Sequence, residues 1–168
     1  MEKLWSPWRS QYIESFKNKT GEEKCIFCEA LKNNMEDDSS LVVKKSKNCF
    51  VVLNLYPYNN GHLMIVPNRH ISSLNEITDE ENVEIMKLIK ESSNALTNLM
   101  KPHGFNIGAN IGKAAGAGID THIHFHVLPR WNGDTNFMPA LGEVKIISQD
   151  LLRTKTNLIQ EFVKMENN

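Results

Sequence analysis

Apolar positions recur with a period of two in several short runs of this chain and with a helical period in two longer ones. LVVKK (Leu41 to Lys45) and CFVVLNL (Cys49 to Leu55) are apolar, β-branched runs, and the Ser46-Lys47-Asn48 between them is of hairpin size. Tyr56 to Gly61, YPYNNG, carries turn residues and leads into a third strand, HLMIVP. Thr78, followed three positions later by Glu81, predicts a capping box. From there to Met100, Ile85, Met86, Ile89, Leu96 and Leu99 fall at roughly helical spacing, and Pro102 and Gly104 end that helix. FNIGANI (Phe105 to Ile111) predicts a fourth strand, GKAAGAG a loop, and HIHFHVL (His122 to Leu128) a fifth strand. Leu151, Leu152, Leu158, Ile159, Phe162 and Val163 predict a second amphipathic helix that begins after Ser148 or Gln149. The early strands are joined too tightly for helical crossovers. The order therefore predicts an α+β domain: an antiparallel sheet of about five strands, a long helix after the third and a C-terminal helix.

Length and charge narrow the class. With 168 residues and 40% hydrophobic content, the chain is expected to form a single domain over 1–168. A net charge of −1 asks for neither a nucleic-acid nor a membrane partner, so an anionic ligand needs a local site. The first residues, MEKLWSPWRSQYIESF, hold no apolar signal core, and no run approaches the ~20 apolar residues of a membrane span, so a cytoplasmic location is expected. Of the three cysteines, Cys49 sits in an apolar run and reads as a small buried hydrophobe. Cys25 and Cys28 form a CxxC, which has a zinc reading and a redox reading. The redox reading wants a βαβ context that this antiparallel order does not supply.

The densest chemistry lies in THIHFHVLPRW, where His122, His124 and His126, three of the six histidines, occupy alternate positions. On a strand, Ile123, Phe125 and Val127 enter the core and the imidazoles share the opposite face. Such a cluster serves as a metal site, as a nucleophile with its helpers, or as a polar, solvated sheet face.

HIHFHVL, with its His-φ-His-φ-His-φ-φ pattern (φ apolar), resembles the signature of the histidine triad (HIT) family of nucleotide hydrolases and transferases, and NLYPYNNGHLMIVPNRH resembles that family's upstream strand-loop-strand. LWSPWRSQYI, VLNLYPYNNGHLMIVP, KPHGFNIGANIG and HVLPRWNGDTNFMP are most similar to the bacterial diadenosine tetraphosphate phosphorylase group of its fragile-histidine-triad-like branch. The resemblance implies that His124 attacks the α-phosphorus of a nucleotide and forms a nucleotidyl-histidine intermediate. A neutral imidazole is a competent nucleophile near pH 7, and its second nitrogen can donate to a carbonyl that fixes the tautomer. His126 would stabilise charge on the phosphate oxygens. Asn110 occupies the place of a phosphate-contacting amide, and Asn54 that of a ribose contact, against the plainer readings of a strand polar residue and a turn-stabilising asparagine. The loop through Gly116, Ala117 and Gly118 could cradle phosphate with backbone amides, with Lys113 or the Arg130-Trp131 segment in support. Relatives often carry a polar side chain near Ala117 and Gly118 that this chain lacks. Ile26, Phe27, Leu53 and Leu55 are candidates for the adenine slot. His62 and His103 read as structural or surface residues.

By the same resemblance His70 and His122 complete a structural Cys2His2 zinc site with Cys25 and Cys28. The expected substrate is a dinucleoside polyphosphate such as diadenosine tetraphosphate, with inorganic phosphate or water as acceptor. A nucleoside phosphoramidase on the same site is an alternative, and the family implies a homodimer or higher homo-oligomer. A rival of another class, a zinc metallohydrolase built on His122, His124 and His126, must gather rings that alternate positions spread over ~13 Å. A non-enzymatic nucleotide-binding module would need the fold without the nucleophile.

Overall fold

The computed structural model describes residues 24–134 and 150–167. Within them β1 (Val42–Lys45), β2 (Cys49–Leu53), β3 (Leu63–Pro67), β4 (Gly104–Gly108) and β5 (Phe125–Arg130) form one antiparallel sheet in the order β1-β2-β3-β5-β4. Helix α1 is Ile26–Lys32, α2 is Asp79–Met100 and α3 is Leu151–Glu166. This is the α+β arrangement that the pattern predicts. The segments LWSPWRSQYI and Thr135 to Pro139, which contribute to the family resemblance, lie outside the described residues.

The central strands β2 and β3 are buried on both faces, and the period of two sorts the sheet's residues between them. Cys49, Val51, Leu53, Leu63, Ile65 and Val127 pack on Ile85, Leu88, Ile89 and Leu96 of α2 and on Leu158 and Phe162 of α3. Phe50, Val52, Met64 and Val66 point the other way and pack on Phe27 of α1. The histidine face is therefore covered rather than solvated. Burial pushes the Cys49 thiol up to about 12, as suits a residue that acts as a small hydrophobe.

Helix α2 begins where its capping box requires. The Thr78 hydroxyl accepts from Glu81 N–H at 3.2 Å, and the Glu81 carboxylate accepts from Thr78 N–H at 2.9 Å. Its inward stripe is Ile85, Leu88, Ile89, Ser92, Ala95 and Leu96, whereas Met86 and Leu99 of the expected set turn outward. Chain reversal at Lys101, in the left-handed region with φ 47°, ends the helix one residue before Pro102. Helix α3 starts at Leu151 because the Asp150 carboxylate accepts from the Leu152 and Arg153 amides.

Two strands are shorter than the hydrophobic runs that announce them. The fourth stops at Gly108, which leaves Asn110 beyond the ladder rather than within it. The fifth begins at Phe125, so only His126 of the triad lies in paired strand. Upstream, the Pro67 carbonyl is taken by the His122 ring at 3.0 Å, and Ile123 N–H donates to Ile71 O at 2.7 Å. A side chain thus occupies an acceptor that a longer β3–β5 ladder would have used. The hydrophobic pattern does not announce α1, a seven-residue helix that carries Cys28 and Phe27.

Candidate functional site

Two of the triad imidazoles have their protons placed by carbonyls, which can only accept. His124 Nδ1 donates to the His122 carbonyl at 2.9 Å, so its Nε2 carries a lone pair. His122 Nε2 donates to the Pro67 carbonyl, so its Nδ1 carries the lone pair and lies 3.2 Å from Cys25 Sγ. His126 Nδ1 lies 2.9 Å from His62 Nε2. Burial holds the His122 and His124 imidazoles below their usual values, which favours the neutral rings these tautomers describe. Phe27 contributes to that burial, with ring centroids 4.9 Å from His124 and 5.5 Å from His122.

Cys25, Cys28, His70 and His122 converge, with their ligand atoms all within 4.8 Å of one another. Cys28 Sγ lies 3.3 Å from His70 Nδ1 and 3.7 Å from His122 Nδ1. A tetrahedral zinc ion with its usual Zn–S and Zn–N lengths places sulfur and nitrogen about 3.5 Å apart, so the four donors fit such an ion. Burial, then the Cys25 side chain, pushes the Cys28 thiol above its usual value, a cost that a divalent cation bound by thiolates removes. The His122 bond to Pro67 O is the outer contact that would orient it as a ligand. The triad does not gather around one point: His122 turns to the cysteines, His124 to a carbonyl and His126 to His62.

A cavity of about 460 Å³ opens beside the triad and is lined by His124, His126, Asn54, Asn110, Gly116 and Gly118. Ala117 is not among the lining residues, and its amide donates at 3.4 Å to Gly112 O inside the loop. Gly112 and Gly116 have φ of 77° and 88°, values that L side chains rarely adopt, so glycine suits both positions of this loop. Ile26, Phe27, Leu53 and Leu55 all line the cavity, with Val52 and Met64 between them, and form an apolar slot between α1 and the sheet. The Asn54 amide oxygen accepts from Tyr56 N–H at 2.9 Å, the turn-stabilising contact, and its Nδ2 lies 3.3 Å from His62 Nδ1. Two expected cations are engaged elsewhere. Arg130 is held by Asp134 through bonds of 2.6 and 2.9 Å, and Lys113, itself exposed, lies 3.7 Å from Asp120.

His62 is the residue whose importance the sequence understated. It is fully buried against His126 rather than on the surface, while His103 accepts from Asn132 N–H at 2.9 Å in an exposed turn. The signal was its parity with Met64, which faces His126 across the β3–β5 pair. That pairing joins segments about sixty residues apart and is invisible to a local pattern.

A family model described as "HIT domain" matches residues 35–133. The chain belongs to the histidine triad family. An AP-4-A phosphorylase of Mycobacterium tuberculosis is 38% identical over 169 residues, covering 98% of this chain and 86% of that one. An adenosine 5'-monophosphoramidase of Schizosaccharomyces pombe is 29% identical over 108 residues, spanning 64% of this chain and 75% of that one. Among solved structures, a Zn-bound histidine triad family protein from Mycobacterium smegmatis matches with a TM-score of 0.68 and 23% identity, over 88% of this chain and 99% of that one. Plasmodium falciparum diadenosine triphosphate hydrolase matches at 0.62 and 20% identity, over 95% of each chain. These two structural likenesses concern the fold.

Proposed function

We propose that this protein cleaves dinucleoside polyphosphates, diadenosine tetraphosphate foremost, by nucleotidyl transfer through a covalent adenylyl-His124 intermediate. The observation that carries the reading is the His124 ring: buried at the cavity wall, with its proton committed to the His122 carbonyl and a lone pair left on Nε2. That nitrogen attacks the α-phosphorus, the N–P bond forms, the anhydride P–O bond breaks and ATP leaves. The developing imidazolium is stabilised through Nδ1–H by the carbonyl. An acceptor oxygen then attacks the same phosphorus and expels His124, giving ADP from inorganic phosphate or AMP from water. Adenine enters the apolar slot, Asn110 and the Gly118 amide hold phosphate oxygens and His126 donates to them, beside Gly116, whose own N–H donates to the Lys113 carbonyl at 3.0 Å. Asn54 approaches the ribose from the slot's rim.

Phosphate is the acceptor in this reading, supported by the M. tuberculosis relative's name and its cover of nearly the whole chain. Zinc on Cys25, Cys28, His70 and His122 ties α1 to the sheet and so shapes the slot, and supplies folding free energy rather than chemistry. A reducing, cytoplasmic location suits a thiolate pair of this kind. A homodimer is supported by β4, an edge strand with exposed Ile107. The test is product analysis of diadenosine tetraphosphate turnover with and without inorganic phosphate. Phosphate should accelerate consumption and change the products from AMP plus ATP to ADP plus ATP. Unchanged rate and products would make the protein a hydrolase; no turnover, with turnover of an adenosine phosphoramidate instead, would make it a phosphoramidase.

A further inference from the structure

Residues 33–40, NNMEDDSS, join α1 to β1 and are polar apart from Met35, yet Asn33, Ser39 and Ser40 line the cavity, with Ala30 and Leu41 flanking them. A segment of this composition has little apolar surface with which to hold itself in place. Two lysines from other elements hold it instead. Lys45 of β1 donates from Nζ to the Leu31 carbonyl at 2.7 Å and to the Asn33 carbonyl at 2.8 Å, acceptors that the end of α1 leaves open. Lys155 of α3 donates from Nζ to the Asp37 carbonyl at 2.6 Å, across 118 positions of sequence. That carbonyl also accepts from Ser40 N–H at 2.9 Å, and the Asp37 carboxylate accepts from Ser39 N–H at 2.8 Å. The turn that carries both serines is therefore built on the residue that Lys155 grips.

Lys155 is 4% exposed and forms no ion pair among the described residues. Burying an ammonium costs free energy that a leucine or methionine at the same helix position would not, so packing does not account for the residue type. A directional donor to Asp37 does. The base of the clamp is firm: Leu158 and Phe162 of α3 sit in the core, and Asn98 of α2 donates to the Glu161 carboxylate at 2.7 Å. We propose that Lys155 and Lys45 are positioning residues that hold residues 33–40 as one wall of the apolar slot, so that affinity for the base of a nucleotide depends on α3. Neither lysine lines the cavity, and each acts only through the backbone it holds. With the wall in place, a base is enclosed between this segment, Phe27 of α1 and the sheet. Released, the wall admits water and the base loses contacts on that side. The phosphate end, at His124, His126, Asn110 and Gly118, is carried by other segments and is not moved.

The inference rests on the proposed function only in taking the slot for a base site, and its test needs no turnover, so a wrong reaction leaves it standing. Lys155→Met keeps the length of the stem and removes the donor. In the full-length protein, amide hydrogen exchange at Ser39 and Ser40 should quicken while that of β2 and β3 stays as in the parent. The Kd of AMP, followed by calorimetry, should rise on the order of threefold to tenfold, the loss of one charged hydrogen bond felt through the wall. Ribose 5-phosphate, which has the same sugar and phosphate but no base, should compete with AMP as well as before relative to its own parent value. On diadenosine tetraphosphate the loss should fall on KM and leave kcat little changed. Lys45→Met, made on an exposed side chain, should shift AMP the same way and keeps the test alive if the buried substitution does not fold. Unchanged exchange at Ser39 and Ser40 in a folded Lys155→Met protein overturns the proposal. So do equal losses for AMP and ribose 5-phosphate, which would show that the lysines serve only general stability.

Discussion

Replacing Glu81 with Gln isolates one charge at the junction of α2 and the segment that carries His70. The Arg69 guanidinium donates to both Glu81 oxygens, at 2.8 and 2.7 Å, and this pair, followed by the Thr78 amide, holds the Glu81 carboxyl well below its usual value, at about 2. Gln keeps an oxygen for the Thr78 amide, so the cap survives and the ion pair does not. From the ordinary value of 4.5, a folded value of about 2 corresponds to roughly 3 kcal/mol. Because the Arg69 side chain is 51% exposed, solvent screens the pair. A destabilisation of about 1–2 kcal/mol at pH 7 is the expected size. The sign follows from a depressed folded value: the contribution is complete above about pH 4.5 and is lost as pH falls toward 2. Urea titrations of both proteins at pH 7, 5, 4 and 3 measure the difference between them, which cancels acid effects common to both, such as release of a metal. The gap should narrow steadily below pH 4.5. A gap that stays constant from pH 7 to pH 3 would refute the assignment of that stability to the Glu81 charge.

His124→Ala should abolish turnover while nucleotide binding, followed by fluorescence or calorimetry, stays close to native, because the slot and phosphate contacts remain. Residual turnover near the native rate would sink the covalent mechanism. Protein purified without added zinc should contain about one zinc per chain, and Cys28→Ser should lose it together with thermal stability, read by elemental analysis and melting. Unchanged melting in metal-free protein would show that the thiols only pack. Asn110→Ala should slow phosphate-dependent turnover more than water-dependent turnover, measured as the ADP to AMP product ratio, since only phosphate needs an anion site.

The elements and their caps were legible because the interactions that define them are local. Alternating apolar residues, the Thr78–Glu81 box and the turn residues between strands all act within a few positions, and the structure has the helix and the meander where they point. The two-sided sorting of the strands was half legible. Period two assigns residues to opposite faces, but nothing in HIHFHVL says that the second face is covered by α1 instead of by water, since Phe27 lies about a hundred residues away. The same distance hides the ends of β4 and β5. Apolar runs announce both strands, yet where pairing stops depends on which carbonyls a remote side chain claims, as His122 claims that of Pro67. Residue types and spacing, read with the family resemblance, marked the triad and the candidate metal donors. Only the tertiary structure brings Cys28 to His70 and His122, takes Arg130 out of reach of the cavity by pairing it with Asp134, and sets His62 against His126. The physical reason is that an imidazole's chemistry depends on which nitrogen holds the proton, and that choice is made by whichever carbonyl, amide or ring lies opposite it in space.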